Sequence, residues 1–571
     1  MRKIITFVLG ATLCFAASAQ SWQEALFFSQ QDYVGTARSM AMGNALTAIG
    51  GDPGSVTINP AGSAVAGYTQ FTVTPALSFS VSNASGNFSG NYLPGESAPL
   101  GFGDAVKTSY TRFNLPNVAF VAQINTGHRT GLTRMSLGVV FNSTQLYTGR
   151  FNAAGINGTS SYAASLASSA EGFSQNDLAT ADWFSSEAEW VDRVAYLSGM
   201  FNGIPNWGGY YQAITETRSE EGGELRRWVP APLYQRYGEQ TTGAKNDLEV
   251  NYSANFSDKF YLGLNVGLSI LNYGMAEYWY EEPQNPDEFA PIIYEGGSQA
   301  TFQSLRMKRN FSLRGTGAYL KAGVLWRPVA GLRLGAAIQT PTVLTTVARN
   351  AFNGEVSLGG KTISPYSSPQ DEWNYALVNP FRFNLGVAYS FGSVAVLSAD
   401  YEMVNYRQAK YTTASRSGGD VPAYMADANL DIKDALGVSH LFRVGAEVKP
   451  TADLAIRAGF NYTTTGQRNY LDYWIDNAGK VQVDITPLTP AQRAAQARSS
   501  ASLGVGYSFG SIFLDAAFRA RFVPKEYVTP YYYYTYDNDY RDKSRDADVA
   551  VPEIEVKSTR FDALVTLGWR F

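Results

Sequence analysis

From about residue 70 to the C-terminus, apolar and polar side chains alternate in short bursts, each bounded by Gly, Pro, Ser or Asp. A period of two marks strands with one greasy face and one polar face. In the last burst Phe561, Ala563, Val565, Leu567, Trp569 and Phe571 share one face, and Arg560, Asp562, Thr566 and Arg570 share the other. Upstream, bursts come in pairs across very short connections: 248–256 with 260–270, 320–326 with 332–338, 383–391 with 395–401, 442–448 with 454–462, and 503–509 with 512–518. A weaker pair joins 118–124 to 135–141 near Gly127. The turn residues are those that tight hairpins require. With 71–81 ahead and 561–571 behind, the pattern predicts about fourteen strands.

The remaining connections are long: 82–116, 148–245, 273–309, 346–379, 406–439, 465–498 and 524–557. Short turns at one end and long loops at the other are the polarity of a transmembrane β-barrel, and an even strand number puts both chain ends on the periplasmic side. The fold expected is therefore all-β, an antiparallel transmembrane barrel with large extracellular loops. Composition agrees: aromatic residues make up 14% of the chain, charged residues only 16%, and no apolar run beyond the first nineteen residues is long enough for a membrane helix. Only a closed barrel satisfies a non-helical backbone in lipid. A net charge of -4 argues against nucleic acid as a partner.

Arg2 and Lys3 precede an apolar run from residue 4 to 15, and Ala17-Ser18-Ala19 offers small residues before Gln20. Residues 1–19 read as a cleaved secretory signal, giving an address in the Gram-negative outer membrane. Cys14, the only cysteine, lies inside that signal, and Leu13 before it argues against lipid attachment. Disulfides, cysteine-bound metals and a cysteine nucleophile are thereby excluded from the mature chain. A terminal Phe571 is what such barrels present to the assembly machinery. Outer-membrane lipid and lipopolysaccharide are the surroundings expected.

Residues 20–66 do not alternate. Ala37, Met40, Ala41, Ala45 and Ala48 sit at helical spacing, and Gly50-Gly51 ends the pattern. A small-residue segment of this length ahead of the barrel (67–571) suits a plug. The run Gly35-Thr36-Ala37-Arg38-Ser39-Met40-Ala41-Met42-Gly43-Asn44-Ala45 and the later Asn59-Pro60-Ala61 resemble the N-terminal hatch of FadL-type (TodX-like) outer-membrane transporters. Trp326-Arg327-Pro328, Leu332-Arg333-Leu334-Gly335, Thr340-Pro341 and Ala399-Asp400-Tyr401-Glu402 are similar to strands of that family. The resemblance implies a fourteen-stranded barrel closed by a hatch. It also implies passive uptake of hydrophobic compounds such as long-chain fatty acids, by loop capture, binding in the lumen, hatch rearrangement and lateral release. Gly35, Arg38, Met40, Gly43, Asn44, Asn59, Pro60 and Ala61 are the hatch residues it assigns.

Three further groups carry candidate chemistry. Lys321, Arg327, Arg333, Arg382, Asp400, Glu402, Arg443, Glu447, Arg457, Asp515, Arg519, Asp562 and Arg570 all fall on the polar faces of their strands. They form either a structural ion network in the wall or, at Arg333, Arg443 and Arg457, contacts for a cargo carboxylate. Trp183, Phe184, Trp190, Val194, Leu197 and Phe201 fall near one face of a predicted loop helix over 182–204. That face either captures an apolar ligand or packs on neighbouring loops. Tyr531-Tyr532-Tyr533-Tyr534 with Tyr536 reads as an interfacial belt or as a binding wall. The two histidines, His128 and His440, fall at opposite ends of the barrel, and Ser439 and His440 point to opposite faces, so no hydrolytic pair and no enzyme is expected. No phosphate loop or metal cluster appears, so no cofactor or metal is expected. A small-solute porin and a surface protein whose loops bind a partner are the competing readings.

Overall fold

The computed structural model describes residues 20–89, 105–221, 224–293, 299–359, 361–362, 365–414, 422–475, 480–531, 534–535, 547–548 and 551–571. The export signal expected over 1–19 lies outside them. Fourteen antiparallel strands form a closed barrel: β1 (Gln70–Ser89), β2 (Val106–Asn125), β3 (Leu132–Leu146, resuming at Gly149–Asn157), β4 (Leu233–Phe256), β5 (Phe260–Pro283), β6 (Phe302–Trp326), β7 (Leu332–Gln339 and Thr342–Leu358), β8 (Asp371–Asn379 and Arg382–Phe391), β9 (Ala395–Asn405), β10 (Val438–Val448), β11 (Leu454–Thr463), β12 (Arg498–Phe509), β13 (Ile512–Phe522) and β14 (Val551–Arg570). Each strand pairs with its neighbours in sequence. The cylinder closes where β1 pairs with β14, with Phe71 opposite Trp569 and Phe79 opposite Phe561. Closure leaves no sheet edge to be satisfied by lipid. β7 and β8 are interrupted at Pro341 and Pro380, which have no N–H to give a ladder.

Parity holds around the wall. On β5, Leu262, Leu264, Val266 and Leu268 face outward, while Asn265 and Ser269 are buried inside. On β14, Leu567 is 56% exposed and Thr566 is fully buried. Lys321, Arg382, Asp400, Glu402, Arg443, Glu447, Arg457, Asp515, Arg519 and Asp562 are all buried in the bore. An outward charge at mid-bilayer would cost several kcal/mol, roughly 2–4 for Arg or Lys.

The strands run further outward than hydrophobic alternation indicates, so the predicted loop boundaries need correcting. β4 starts at Leu233, β5 continues to Pro283, and β7 reaches Leu358. Beyond the lipid the period of two persists but both faces turn polar. Glu277, Glu281 and Arg309 point inward, and Arg306 and Tyr278 outward, so the apolar signal vanishes while the ladder continues. The predicted loop 148–245 therefore contains the second half of β3 and the start of β4, and 158–232 folds between them as a cap. α4 (Tyr162–Ser169), α5 (Gln175–Ala179) and α6 (Trp190–Leu197) of this cap share a core with the outer ends of β6, β7 and β14, through Leu166, Val194, Phe201, Leu305, Val356 and Ile554.

One stretch of wall is unzipped. β2 pairs with β3 only from Asn117–Asn142 to Asn125–Arg134. Outward of Asn117, β2 is laddered to β1 alone, and the second half of β3 is laddered to β4 alone. Pro116 stands at the start of this gap, and a register shift of β1 lies opposite at Pro75. β3 itself breaks at Tyr147-Thr148, just after a register shift between Ser143 and Gln145.

Candidate functional site

Residues 20–66 lie inside the barrel, and most of them are buried. α1 (Trp22–Ser29) is capped by Ser21, whose side chain accepts from Glu24 N. α2 (Ala37–Ala41) is capped by Thr36 and stops after five residues, because Gly43 and Asn44 both adopt φ of 61°. The small-residue helix expected to continue to Ala48 is thus a short helix followed by turns. The left-handed pair reverses the chain against the wall, which a longer helix could not do. α3 (Pro53–Val56) is capped by Asp52, whose Oδ1 accepts from Gly54 N at 2.8 Å and from the Thr36 hydroxyl at 2.7 Å. Asn59-Pro60-Ala61 opens a 3-10 turn, Pro60–Val65. Asn59 Oδ1 accepts from Ala61 N, while its Nδ2 donates to Thr47 O at 2.7 Å and to Val324 O on β6 at 3.1 Å.

The wall makes room for this segment with inward glycines. A Cβ at Gly263, Gly323, Gly335, Gly445 or Gly459 would overlap Ala61, Asn59, Thr47, Met42 or Gly43 respectively. Each of these strands carries its glycine close to its short turn, so together they form a belt against which the segment's backbone lies. Charged side chains then fasten it. Arg38 Nε donates to Glu447 at 2.9 Å, Asp32 accepts from Arg519 at 2.6 Å, Thr57 donates to Glu249 at 2.5 Å, and Lys245 donates to Phe28 O and Gln30 O, both at 2.8 Å. Of the predicted hatch residues, Met40 is fully buried, Asn44 donates to Tyr33 O at 2.8 Å, and Gly35 packs against Gly54.

The three lumen arginines are already engaged. Arg333 donates to Ile49 O at 2.8 Å, Arg443 is paired with Glu402, and Arg457 bridges Glu447 at 2.7 Å and Asp515 at 2.5 Å. The geometry makes them anchors of wall and plug rather than free donors for a cargo carboxylate. Above the belt the bore becomes apolar. Phe27, Phe28, Tyr147 and Tyr273 pack with centroids 5.0–6.0 Å apart, edge to face except for the tilted Phe27–Tyr147 pair, and Met275, Phe311, Leu344, Leu377 and Tyr411 extend the cluster around α1. These residues were not singled out from the sequence. Their signal was available, since Tyr273, Met275, Phe311 and Leu313 are apolar on the inner parity of strands that are polar there nearer the periplasm.

The loop read as either a capture face or a helix packed on its neighbours is a closed core. Only residues 190–197 of the predicted helix are helical, with Trp183 and Phe184 in a preceding turn and Phe201 on a short strand. Trp183, Val194 and Phe201 are buried, Leu197 and Trp190 pack around them, and Phe184 alone projects into solvent. Arg193 lies over the Trp183 ring at 4.1 Å and donates to Trp183 O at 3.0 Å, which fixes the turn and prevents a longer helix. Tyr531 is likewise buried under the cap, accepting from Asn157 Nδ2 at 3.1 Å, so it belongs to neither an interfacial belt nor an open wall. Tyr532, Tyr533 and Tyr536 lie outside the described residues.

The cap also holds a pH-sensitive group. Burial pushes the Asp192 carboxyl up to about 8, against a hydrogen bond from Ser169 at 2.7 Å that favours the anion. The folded cap therefore binds a proton that the unfolded loop releases. This stabilisation is complete below the ordinary aspartate value and is lost as pH rises through about 8. Native-state proteolysis of the cap should accelerate from pH 5 to pH 8.5, and Asp192→Asn should flatten that slope; an unchanged slope would refute the assignment.

No protein-family model matches the sequence, and no curated protein does. Among solved structures, the chain is similar to a Pseudomonas aeruginosa FadL homologue (15% identity, 95% of this chain and 99% of that one, TM-score 0.46). It is also similar to the P. putida toluene transporter TodX (13% identity, 94% and 98%, TM-score 0.44) and to the CymD monoaromatic hydrocarbon channel (10% identity, 94% and 97%, TM-score 0.39). At these values the likeness is one of layout only.

Proposed function

We propose that this protein is an outer-membrane channel for passive uptake of hydrophobic small molecules, exported by a cleaved signal and inserted by the barrel-assembly machinery. The observation that supports this most is the position of the aromatic cluster. It lies in the bore above a tightly seated plug, with Tyr147 at the break of β3, beside the stretch where β2 and β3 are not laddered. Apolar cargo that passes the cap meets this cluster first. The plug below it is held by backbone contact and buried charge, which keeps water and polar solutes out. The unladdered stretch then offers a lateral way into the bilayer once α1 and the plug shift.

Residues 20–66 act in this reading as the hatch, and the cap over 158–232 as the outer door. A long-chain fatty acid is the largest cargo the resemblance implies. It would need the space that α1 occupies, so its entry is coupled to withdrawal of Phe27 and Phe28 from the cluster. Asn59 links two parts of the hatch to β6, and losing its three hydrogen bonds at about 1 kcal/mol each should loosen the hatch without opening the wall. Proteoliposomes carrying the Asn59→Ala, Pro60→Ala chain should take up a labelled apolar compound several-fold faster or slower than the natural chain, at unchanged barrel mobility on gels. Equal uptake would refute the hatch role. Flux no greater than in empty vesicles, for every apolar compound tried, would refute the channel and favour a loop-bearing surface protein.

A further inference from the structure

The strands that run past the lipid carry charge on their outer face as well as their inner one. On β6 the outward side chains are apolar from Trp326 to Ala318, and beyond Thr316 they include Arg314, Lys308 and Arg306. β4 adds Arg236 and β7 adds Arg349 on the same face. The other exposed cations of the wall are scattered one to a strand: Lys107 on β2, Arg150 on β3 and Lys557 on β14. Among the described residues, the outward positions of β9 to β13 carry no Lys or Arg.

Cross-strand register gathers these cations around two rings. Tyr280 on β5 stands between Arg236 and Arg306, and both guanidiniums lie over its ring, at 5.8 and 5.9 Å. Lys308 lies over Tyr278, its partner in register, at 5.5 Å. The nearby carboxylates do little to balance them. Glu372 is taken by Arg349 at 2.7 Å, Glu355 reaches Arg306 only at 4.0 Å, and Glu282 accepts from the Tyr280 hydroxyl at 2.6 Å. Asp287 and Glu288 lie further out, in the connection after β5. Arg236, Lys308 and Arg314 form no ion pair among the described residues. Two guanidiniums on either side of one ring repel each other until an anion joins them.

Height identifies the occupant. Strands rise about 3.3 Å per residue and tilt by about 40°, so Arg314 stands roughly 30 Å above Trp326, just past an apolar band of about 25 Å. Lys308 and Arg306 stand about 15–20 Å further out by the same measure. The headgroup layer of a phospholipid adds only about 5–8 Å on each side of the hydrocarbon. The cations continue upward from the lipid-facing band, so a membrane lipid is the ligand that meets both. Reaching the upper cations takes a headgroup several sugars tall. Phosphates suit the arginines, which grip them with two parallel N–H bonds, and Tyr278, 38% exposed, offers a negative ring face to the C–H edge of a sugar.

We propose that the outward face of β4 to β6 binds one molecule of phosphorylated lipopolysaccharide. Its acyl chains lie on the apolar band, and its sugar phosphates meet Arg314, Lys308, Arg306 and Arg236. The site lies outside the bore and needs only that the long loops face the exterior, so it does not depend on the channel reading.

Native mass spectrometry of the purified full chain in mild detergent, titrated with a lipopolysaccharide truncated to its inner core, tests the site. One lipid should stay bound per chain. Dephosphorylating that lipid should weaken binding about a hundredfold, the loss expected for three cations at a lipid surface. The Arg306→Gln, Lys308→Gln, Arg314→Gln chain should show the same loss, and Lys308→Gln alone, the milder change if the triple variant fails to fold, about fivefold. Lys107→Gln with Lys557→Gln should leave binding unchanged. Phosphatidylglycerol, which has the phosphate but not the height, should bind more weakly than the lipopolysaccharide. Equal affinity for the dephosphorylated lipid, full affinity in the folded variants, a matching loss in the Lys107, Lys557 control, or phosphatidylglycerol binding as tightly would overturn the site.

Discussion

Valine at Gly445 and Gly459 together should turn a sealed barrel into a leaky one without unfolding it. Both glycines face inward on neighbouring strands, and the atoms a Cβ would meet there are Met42 O and the Gly43 backbone. Backbone cannot swing aside as a side-chain tip can. Gly43 is itself held at φ of 61°, so the turn has no second conformation ready to absorb the intrusion. Neither Gly445 nor Gly459 has a positive φ, and valine is a good strand former, so the wall tolerates the change. The cost therefore falls on the hatch, at about 1–3 kcal/mol for each overpacked site. Liposomes bearing the double variant should swell in small sugars at least about tenfold faster than those with the natural chain, which corresponds to roughly 1.4 kcal/mol or more of lost closure. Equal swelling, with heat-modifiable mobility retained in both, would show that the glycine belt does not seat the hatch.

The wall was legible in the sequence because lipid is a strict solvent. Every strand whose outer face must be apolar displays a period of two, and the inward set of Arg382, Glu402, Arg443, Glu447 and Arg457 followed from parity alone. Where lipid ends the signal ends too, which is why β4, β5 and β7 were cut short by pattern while their ladders continue past Lys245, Glu277 and Arg349. The unladdered stretch between β2 and β3 left only Pro75 and Pro116 as traces, because a missing pairing is a relation between strands and not a property of either.

The interior was less legible, for reasons that differ residue by residue. Asn59-Pro60 could be recognised because capping is local, whereas Gly445 and Gly459 look like ordinary strand glycines until Met42 and Gly43 are seen against them. A shared signal was present in Leu262-Gly263-Leu264, Ala322-Gly323-Val324, Leu334-Gly335-Ala336, Val444-Gly445-Ala446 and Ala458-Gly459-Phe460, a glycine flanked by outward apolar residues near each turn. Arg333, Arg443 and Arg457 stood open between a wall ion network and cargo contacts because sequence shows charge and parity but not the acceptor opposite. Trp183, Phe184, Trp190 and Phe201 were read as one helical face because helical spacing in a loop does not reveal a turn held by Arg193.

Removing residues 20–66 should have the largest effect of all. The wall would keep its own ion pairs, Glu402 with Arg382 at 2.8 Å, Glu447 with Arg457 at 2.7 Å and Asp562 with Arg519 at 2.9 Å, each of which joins strands and none of which needs the hatch. Lys245 and Lys321 would lose Phe28 O, Gln30 O and Thr57 O and turn to water instead. The bore would then hold water past a glycine-lined wall, in a barrel between the filled eight-stranded kind and the open porins of 16–18 strands. Planar-bilayer conductance of the shortened chain beside the natural one tests most directly whether the leading segment closes the bore. The natural chain should hold the membrane near its bare baseline and the shortened chain should give steady, salt-proportional channels; open channels in the natural chain, or the same silence from both, would contradict a barrel corked by its own first residues.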